Sequence, residues 1–254
     1  MAPFRIEMRD GLSDMCNICD RQVIGRRQFI TLAGATLAAA NPLFAWDKAL
    51  AAGENTSVTA DEALANLKSG NDKYVKGPEV CLFDLAESRA SVAGNQMPWA
   101  TILSCADSRV PPELLFGGLG HGELFVARNA GNMAVDAATM GTIEYGAAAL
   151  GVPLVVVLGH ESCGAVVAAC DVVTKKKTYP GSIGPMVTAI VPAAQAVKGK
   201  PGDFVDNAVR ESARRTAVRI ATKSKIMADL VKAGKVKVVA ARYDLKEGKV
   251  EYLS

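Results

Sequence analysis

The stretch PLVVVLGH, residues 153–160, decides the fold of this chain. After Pro153 it holds five consecutive aliphatic residues and then ends at Gly159 and His160. A continuous apolar run of strand length is typical of a parallel strand that is covered on both faces. The stretch therefore predicts a buried parallel strand with a histidine at its carboxyl end.

Further segments around this strand predict an alternating pattern of strands and helices. We expect strands at WATILS (99–104), which stops at Cys105, at GELFVARN (122–129) and at VKVVAARYDL (236–245), and helices at 59–77, 133–150, from 164 onward and at 203–233. The turn at 246–248 leads into KVEYL, a short antiparallel strand. The prediction is an α/β fold: a single domain with a mainly parallel central β-sheet flanked by helices and an antiparallel C-terminal edge strand.

The first part of the chain reads as an export signal. Arg26 and Arg27 stand directly before a weakly apolar run, 29–40, which is too short to span a bilayer. Ala49-Leu50-Ala51 offers a cleavage site. We therefore expect residues 1–52 to be a twin-arginine signal peptide that is removed, residues 53–254 to be the functional domain, and the mature protein to be periplasmic without a stable membrane anchor.

Charge and cysteine content narrow the classes of partner. The net charge is only +3, and the short basic groups near 175–177 and 210–219 look like solvated surface, so we expect no nucleic-acid partner. Cys16 and Cys19 have a Cys-x-x-Cys spacing but fall in the expected leader. For Cys81 and Cys170 both a buried apolar thiol and a disulfide remain open.

Three soft ligands converge on one end of the predicted sheet. Cys105 and His160 end two strands, and Cys163 follows His160 in a His-x-x-Cys pattern at the start of a helix. Functional groups of such sheets collect beyond the carboxyl ends of the strands. Two thiolates and an imidazole are a typical zinc set, and no fourth Cys or His has ligand-like spacing. The pattern favours an open, catalytic zinc site over a closed structural one.

Asp107 and Arg109 follow Cys105 at intervals of two residues. On an extended segment such side chains face the same way, so we expect all three to point at the metal pocket. Arg109 can hold the Asp107 carboxylate through paired, charge-assisted hydrogen bonds. Asp107 would then stay ionised and off the metal, which leaves the fourth position to water.

Three motifs together resemble the beta class of carbonic anhydrases: CADSRV (105–110), FVARNAGN (125–132) and GHESCGA (159–165). The resemblance runs from about residue 59 to the end of the chain. It implies one Zn²⁺ per subunit on Cys105, His160 and Cys163, and Asp107 and Arg109 as a catalytic dyad. The implied reaction is the reversible hydration of carbon dioxide to bicarbonate and a proton through a zinc-bound hydroxide.

The same resemblance implies a substrate pocket and an assembly. Gln96 is similar to the family's substrate-binding glutamine, Phe125 and Tyr145 to the apolar wall of its carbon dioxide pocket, and Gly164 to its backbone donor. Members of the family are dimers or multiples of dimers with active clefts at the subunit contact, so we expect a homodimer or a multiple of dimers. Gln96 or Tyr145 would then serve the zinc of a neighbouring subunit.

Two other functions use the same ligands. A carbonyl sulfide or carbon disulfide hydrolase on this scaffold would keep the whole zinc set and differ in access to the pocket. A non-catalytic zinc-binding protein would have no need of Asp107, Arg109 or Gln96. Fold alone does not separate these readings.

Overall fold

A computed structural model describes residues 55–77 and 85–254 of the chain. The expected signal peptide and its cleavage site lie outside the described residues, and so do Cys16, Cys19 and Cys81. In the part that is described, no helix has the length and apolar character needed to cross a membrane.

A five-stranded sheet forms the centre of the fold and confirms the predicted α/β class. The strands are β1 (Ala100–Cys105), β2 (Leu124–Asn129), β3 (Leu154–His160), β4 (Lys237–Tyr243) and β5 (Val250–Leu253), in the order β2-β1-β3-β4-β5. Strands β1 to β4 pair in parallel, and β5 pairs antiparallel with β4. All seven residues of β3 are buried, as its apolar run predicts.

Helices cover both faces of the sheet. They are α1 (Ala60–Lys76), α2 (Leu85–Val92), α3 (Pro112–Leu115), α4 (Ala137–Ala148), α5 (Gly164–Lys175), α6 (Ile183–Val197), α7 (Phe204–Lys223) and α8 (Lys225–Lys232). Helix α1 begins with a capping box: Glu62 N–H donates to Thr59 Oγ1 at 3.3 Å, and Thr59 N–H donates to Glu62 Oε2 at 2.8 Å. Alternate residues of the strands enter the two cores, with Ile102 on one face and Leu103 on the other.

The C-terminal half differs from the prediction in two places. The single helix expected at 203–233 is α7 and α8, because Ser224 between them has an extended backbone. The Ser224 hydroxyl accepts from Met227 N–H at 3.1 Å and donates to Glu144 Oε1 at 2.6 Å. Helix α6 was not predicted at all. It carries Pro192 in its interior, and burial of its apolar face, including Val187 and Ile190, outweighs that local helix breaker.

Candidate metal centre

Strands β1 and β3 separate at their carboxyl ends and open the space for the site. Their pairing stops at Ser104 and Leu158, whereas β3 continues to His160 and β1 to Cys105. Such a crevice beyond the strand ends is where ligands bind in open α/β sheets. Cys105 and His160 therefore face each other across the gap between two neighbouring strands.

Cys163 completes a compact cluster with these two residues. Ser162, at a φ of 55°, turns the chain directly after β3, and Cys163 then forms the N-cap of α5. The ligand atoms of Cys105, His160 and Cys163 all lie within 4.8 Å of one another, and the two sulfurs are 3.9 Å apart. All three residues are buried, with exposed fractions of 5%, 0% and 1%. The predicted zinc ligands are thus brought together.

His160 is oriented as a metal ligand. Its Nδ1 lies 2.9 Å from the backbone oxygen of Glu161, an interaction that places the ring proton on Nδ1. Its Nε2 is buried and has no hydrogen-bond partner among the described residues. A buried polar atom without a partner is costly, about 1–3 kcal/mol. The free lone pair on Nε2 fits a metal ion bound between this ring and the two sulfurs.

The two thiols cannot both ionise without a cation. The hydrogen bond with the Cys163 thiol lowers the pKa of Cys105 to about 4. The neighbouring Cys105 sulfur and burial raise the pKa of Cys163. Two buried thiolates at this distance would repel each other, so ionisation of one thiol opposes ionisation of the other. A divalent soft cation would remove that repulsion, so these residues fit zinc.

Asp107 and Arg109 form the predicted pair beside the cluster. Arg109 Nε and Nη2 donate to the two Asp107 carboxylate oxygens at 2.9 and 2.7 Å. These hydrogen bonds hold the pKa of Asp107 well below its usual range, so the carboxylate is ionised. Asp107 Oδ2 lies 3.9 Å from His160 Nε2, which is beyond hydrogen-bond distance. An acceptor is thus available at the edge of the metal cluster.

The prediction that Cys105, Asp107 and Arg109 lie on one extended segment is wrong. The segment after Cys105 is not an extended continuation of β1, because the strand ends at Cys105. A turn follows, closed by Val110 N–H donating to the backbone oxygen of Asp107 at 3.1 Å, and Arg109 N–H also donates to Asp107 Oδ1 at 2.9 Å. The turn, rather than strand alternation, places the two side chains against each other.

Strand β2 and the loop after it contribute contacts that the sequence reasoning missed. Arg128 Nε donates to the Cys105 backbone oxygen at 2.9 Å, and Arg128 Nη2 donates to the Asp107 backbone oxygen at 2.6 Å. Gly131 N–H donates to Cys105 Sγ at 3.4 Å. Gly131 has a φ of 82°, a backbone conformation that other residues rarely adopt, so a substitution at this position would be strained. Arg128 and Gly131 lie in FVARNAGN (125–132), one of the three motifs that carry the family resemblance.

The four expected substrate residues fall into two groups. Gly164 is the first residue of α5, directly after Cys163, and a Cβ at this position would meet no atom within 4 Å. Phe125 of β2 pairs with Thr101, near the amino end of β1. Thr101 lies four residues before Cys105, which is about 13 Å along an extended strand. Tyr145 packs near Phe125, with 6.2 Å between ring centroids, and Gln96 precedes β1. Within one chain, Gly164 adjoins the cluster, whereas Gln96 and Phe125 lie toward the opposite end of the sheet.

Comparison with known proteins gives a consistent result. The family model described as carbonic anhydrase matches residues 100–250. "Carbonic anhydrase 2" of Mycobacterium tuberculosis is 34% identical over 195 residues, covering 77% of this chain and 92% of the relative. The carbonic anhydrase of Mycolicibacterium smegmatis is 35% identical over 188 residues, covering 74% and 90%.

Two solved structures share the fold. The Coccomyxa beta-carbonic anhydrase in complex with acetazolamide is 26% identical, with a TM-score of 0.57, and the match covers 78% of this chain and 87% of that one. A structure from work on two tetrameric beta-carbonic anhydrases of Sordaria macrospora is 20% identical, with a TM-score of 0.59 over 75% and 94% of the two chains.

Proposed function

This chain belongs to the beta class of the carbonic anhydrase family, and from that premise we propose how its residues carry out the reversible hydration of carbon dioxide to bicarbonate and a proton. The observation that carries the proposal is the buried Cys105–His160–Cys163 cluster with an ionised carboxylate at its edge. These three side chains would hold one zinc ion per subunit.

When bound in this cluster, zinc supplies a Lewis acid that lowers the pKa of water and makes it a nucleophile for carbon dioxide. The protein supplies the rest. Glu161 fixes the ring of His160 through its backbone oxygen, and the buried walls around both sulfurs exclude bulk water from the ligands. Among the described residues three side chains form this ligand set, and a zinc ion held by them would leave room for a water.

Asp107 would orient the reacting water. Its carboxylate is ionised, so it can accept a hydrogen bond from that water but cannot donate one. Arg109 holds both carboxylate oxygens and so keeps Asp107 in one orientation. An acceptor fixed in this way would orient a water at the cluster toward the substrate, which is a positional contribution to catalysis.

Gly164 would stabilise the negative charge that develops on the substrate oxygen. Its backbone N–H lies in the first turn of α5, where N–H groups have no partner within the helix and the helix dipole favours an anion. The open space above its Cα gives a small substrate room to approach. We propose that this backbone group is the donor for bicarbonate and for the transition state that leads to it.

Gln96, Phe125 and Tyr145 would act across a subunit contact. Gln96 and Phe125 lie toward the amino ends of the strands, away from the cluster of the same chain. We therefore propose a homodimer or a multiple of dimers in which these residues line the pocket of the neighbouring subunit. A Gln96→Ala chain and a Cys163→Ser chain should each be impaired alone, and mixing them under exchange conditions should restore activity. No restoration in proven hybrids would contradict the shared site.

We also propose export by the twin-arginine route to the periplasm, which the sequence of residues 1–52 supports. This route carries folded proteins, so Cys105 and Cys163 could take up zinc while reduced in the cytoplasm. The test is the N-terminus of protein recovered from a periplasmic fraction, which should start near residue 53. Replacing Arg26 and Arg27 by lysine should leave the uncleaved chain in the cytoplasm. Unchanged export would refute the proposal that residues 1–52 are a twin-arginine signal peptide.

The activity itself is tested by stopped-flow carbon dioxide hydration, with zinc content measured on the same sample. We expect about one zinc per chain and rapid hydration that is lost with the metal. Full zinc without hydration would contradict the proposal and leave a non-catalytic zinc protein. Hydrolysis of carbonyl sulfide or carbon disulfide without carbon dioxide hydration would instead identify the alternative enzyme.

A further inference from the structure

One arginine connects a metal ligand to the turn that carries Asp107. The guanidinium of Arg128 donates from Nε to the Cys105 backbone oxygen at 2.9 Å and from Nη2 to the Asp107 backbone oxygen at 2.6 Å. The two carbonyl groups lie on either side of Ala106. A planar guanidinium has fixed donor directions, so one side chain that satisfies both carbonyls also fixes their separation.

The Asp107–Arg109 pair does not supply this restraint by itself. The two residues belong to the same turn, so their mutual hydrogen bonds orient each side chain relative to the other but not relative to the metal ligands. The side chain of Arg109 is also 55% exposed, so packing does not hold this side chain against the metal ligands. Placing the carboxylate against the cluster requires contacts between the turn and the strands.

Strand β2 provides such contacts. Ala106 N–H donates to the Asn129 backbone oxygen at 3.1 Å, which extends the pairing of β1 and β2 by one residue. The pairing between β1 and β3 has already ended at Ser104, so the chain after Cys105 runs beside an opening gap. Arg128 reaches from β2 around this strand end and holds the backbone at positions 105 and 107 together.

We propose that Arg128 is a positioning residue for carbon dioxide hydration: it fixes the Asp107 carboxylate relative to the metal ligand Cys105. This inference rests on the proposed function of Asp107. Arg128 acts through hydrogen bonds to the protein backbone, so it is expected to affect the rate of the reaction rather than metal or substrate binding.

The test compares Arg128→Gln with Arg214→Gln. Arg214 is a matched control, because its Nε also donates to a backbone oxygen, that of Ser254, at 2.9 Å, and it lies on α7 outside the metal cluster. Zinc content, kcat and KM are measured for both variants and for the wild-type chain. We expect Arg128→Gln to keep its zinc and its KM while kcat falls about ten- to a hundredfold, and Arg214→Gln to match the wild type.

A double variant separates positioning from a general structural effect. If Arg128 acts through Asp107, then Arg128→Gln should cost little further rate in an Asp107→Asn background. Arg128→Lys keeps the positive charge but cannot donate to both backbone oxygens in the fixed geometry of a guanidinium. Its kcat should therefore lie between those of the wild type and Arg128→Gln.

Three results would overturn the inference: unchanged kcat in Arg128→Gln, loss of zinc from that variant, or an additive loss in the double variant. If Arg128→Gln does not fold, the same measurements on Arg128→Lys decide the matter by the same criteria. Failure of the wild-type chain to hydrate carbon dioxide would refute the proposed function instead, so the two failures are distinguishable.

Discussion

Two polar clusters of the described residues lie at the carboxyl end of the sheet. They differ in whether their charged and polar atoms find hydrogen-bond or ion-pair partners within the chain. One is the metal centre of Cys105, His160 and Cys163. The other is an ionic cluster at the end of β4 and the start of α7, formed by Asp206, Arg210, Arg242, Asp244 and Glu251. Both are placed by the same parallel strands, since His160 of β3 pairs with Tyr243 of β4.

The ionic cluster is complete as it stands. Asp206 accepts from Arg210 at 2.7 Å and from Arg242 at 2.8 Å, and Arg210 also binds both carboxylate oxygens of Glu251 at 2.7 Å. Arg242 donates to Asp244, whose other oxygen accepts from two backbone N–H groups. Paired charges of this kind need nothing further, so this cluster connects α7 to the C-terminal hairpin.

The polar atoms of the metal centre, by contrast, do not all find partners among the described residues. The two sulfurs lie 3.9 Å apart, where two thiolates would repel each other, and His160 Nε2 has no hydrogen-bond partner among the described residues. A fold that keeps such groups buried loses stability unless a ligand completes them. We therefore expect substitutions in the metal centre to change zinc binding and rate, and substitutions in the ionic cluster to change stability alone.

The largest effect is expected from replacing Cys163 by serine. This change removes one soft ligand, so metal affinity should fall more than about a hundredfold, the upper range for a residue that merely supports a ligand, and hydration should be lost. Zinc content and stopped-flow rates check it. Cys170→Ser is the matched control: it alters a buried cysteine of the same helix that lies outside the cluster, and it should keep both zinc and rate. A zinc-loaded, active Cys163→Ser variant would contradict the ligand assignment.

The next effect concerns two aspartates that are each paired with an arginine. Asp107→Asn should lower kcat by about a hundredfold, as expected when a reacting group loses its orientation, with zinc retained. Asp244→Asn removes a similar carboxylate from the ionic cluster and should leave the rate per folded molecule unchanged. If Asp107→Asn loses its metal, or if both variants are equally active, Asp107 does not have the proposed role.

The ligands of the metal centre were predictable because their positions follow from strand ends. A buried apolar run that ends in His160 places that residue at the sheet edge, and Cys105 ends the neighbouring strand for the same reason. Cys163 follows His160 after only two residues, so a short turn into the start of α5 keeps it close to His160. Local sequence patterns and parallel topology together were sufficient here.

The missed features depend on contacts between distant segments. The hydrogen bonds of Arg128 to Cys105 and Asp107 join residues 23 and 21 positions apart, and nothing in the local sequence specifies them. Helix α6 contains Pro192, so local propensity argues against it and only burial against α5 and α7 explains it. The break at Ser224 likewise depends on Glu144, which is 80 residues away.

A smaller effect, on stability alone, is expected from Asp206→Asn. Burial opposes ionisation of Asp206, but the hydrogen bonds from Arg210 and Arg242 outweigh it and hold its pKa below the ordinary value of 3.8. The variant should lose about 2 kcal/mol of unfolding free energy at neutral pH, as for a hydrogen bond to a charged group, and hydrate carbon dioxide normally once folded. Lower catalytic rate in the folded variant would contradict the separation of the two clusters.

The pH dependence of the same variant follows from the sign of the shift. A lowered pKa in the folded state stabilises the protein above the unfolded-state pKa, and that contribution is lost as the pH falls below about 4. The unfolding free energy of the wild type should therefore decrease more steeply than that of Asp206→Asn under acid conditions. Urea unfolding at pH 6 and pH 3 measures this difference, and equal decreases in both proteins would refute it.

The smallest effect is expected at Gly164, where the metal centre meets open space. A Cβ there would contact nothing within 4 Å, so Gly164→Ala should leave the unfolding free energy unchanged or raise it by up to about 1 kcal/mol through helix propensity. The added methyl group would occupy space proposed for the substrate, so kcat/KM should fall about tenfold, the lower end of the effect of one added carbon in a pocket. Gly141→Ala is the control, a helical glycine in α4 with equally free surroundings. If both variants keep full activity, the space at Gly164 does not hold the substrate. If only Gly164→Ala is slower and no less stable, the metal centre and the ionic cluster serve different purposes, although both lie at the carboxyl end of the sheet.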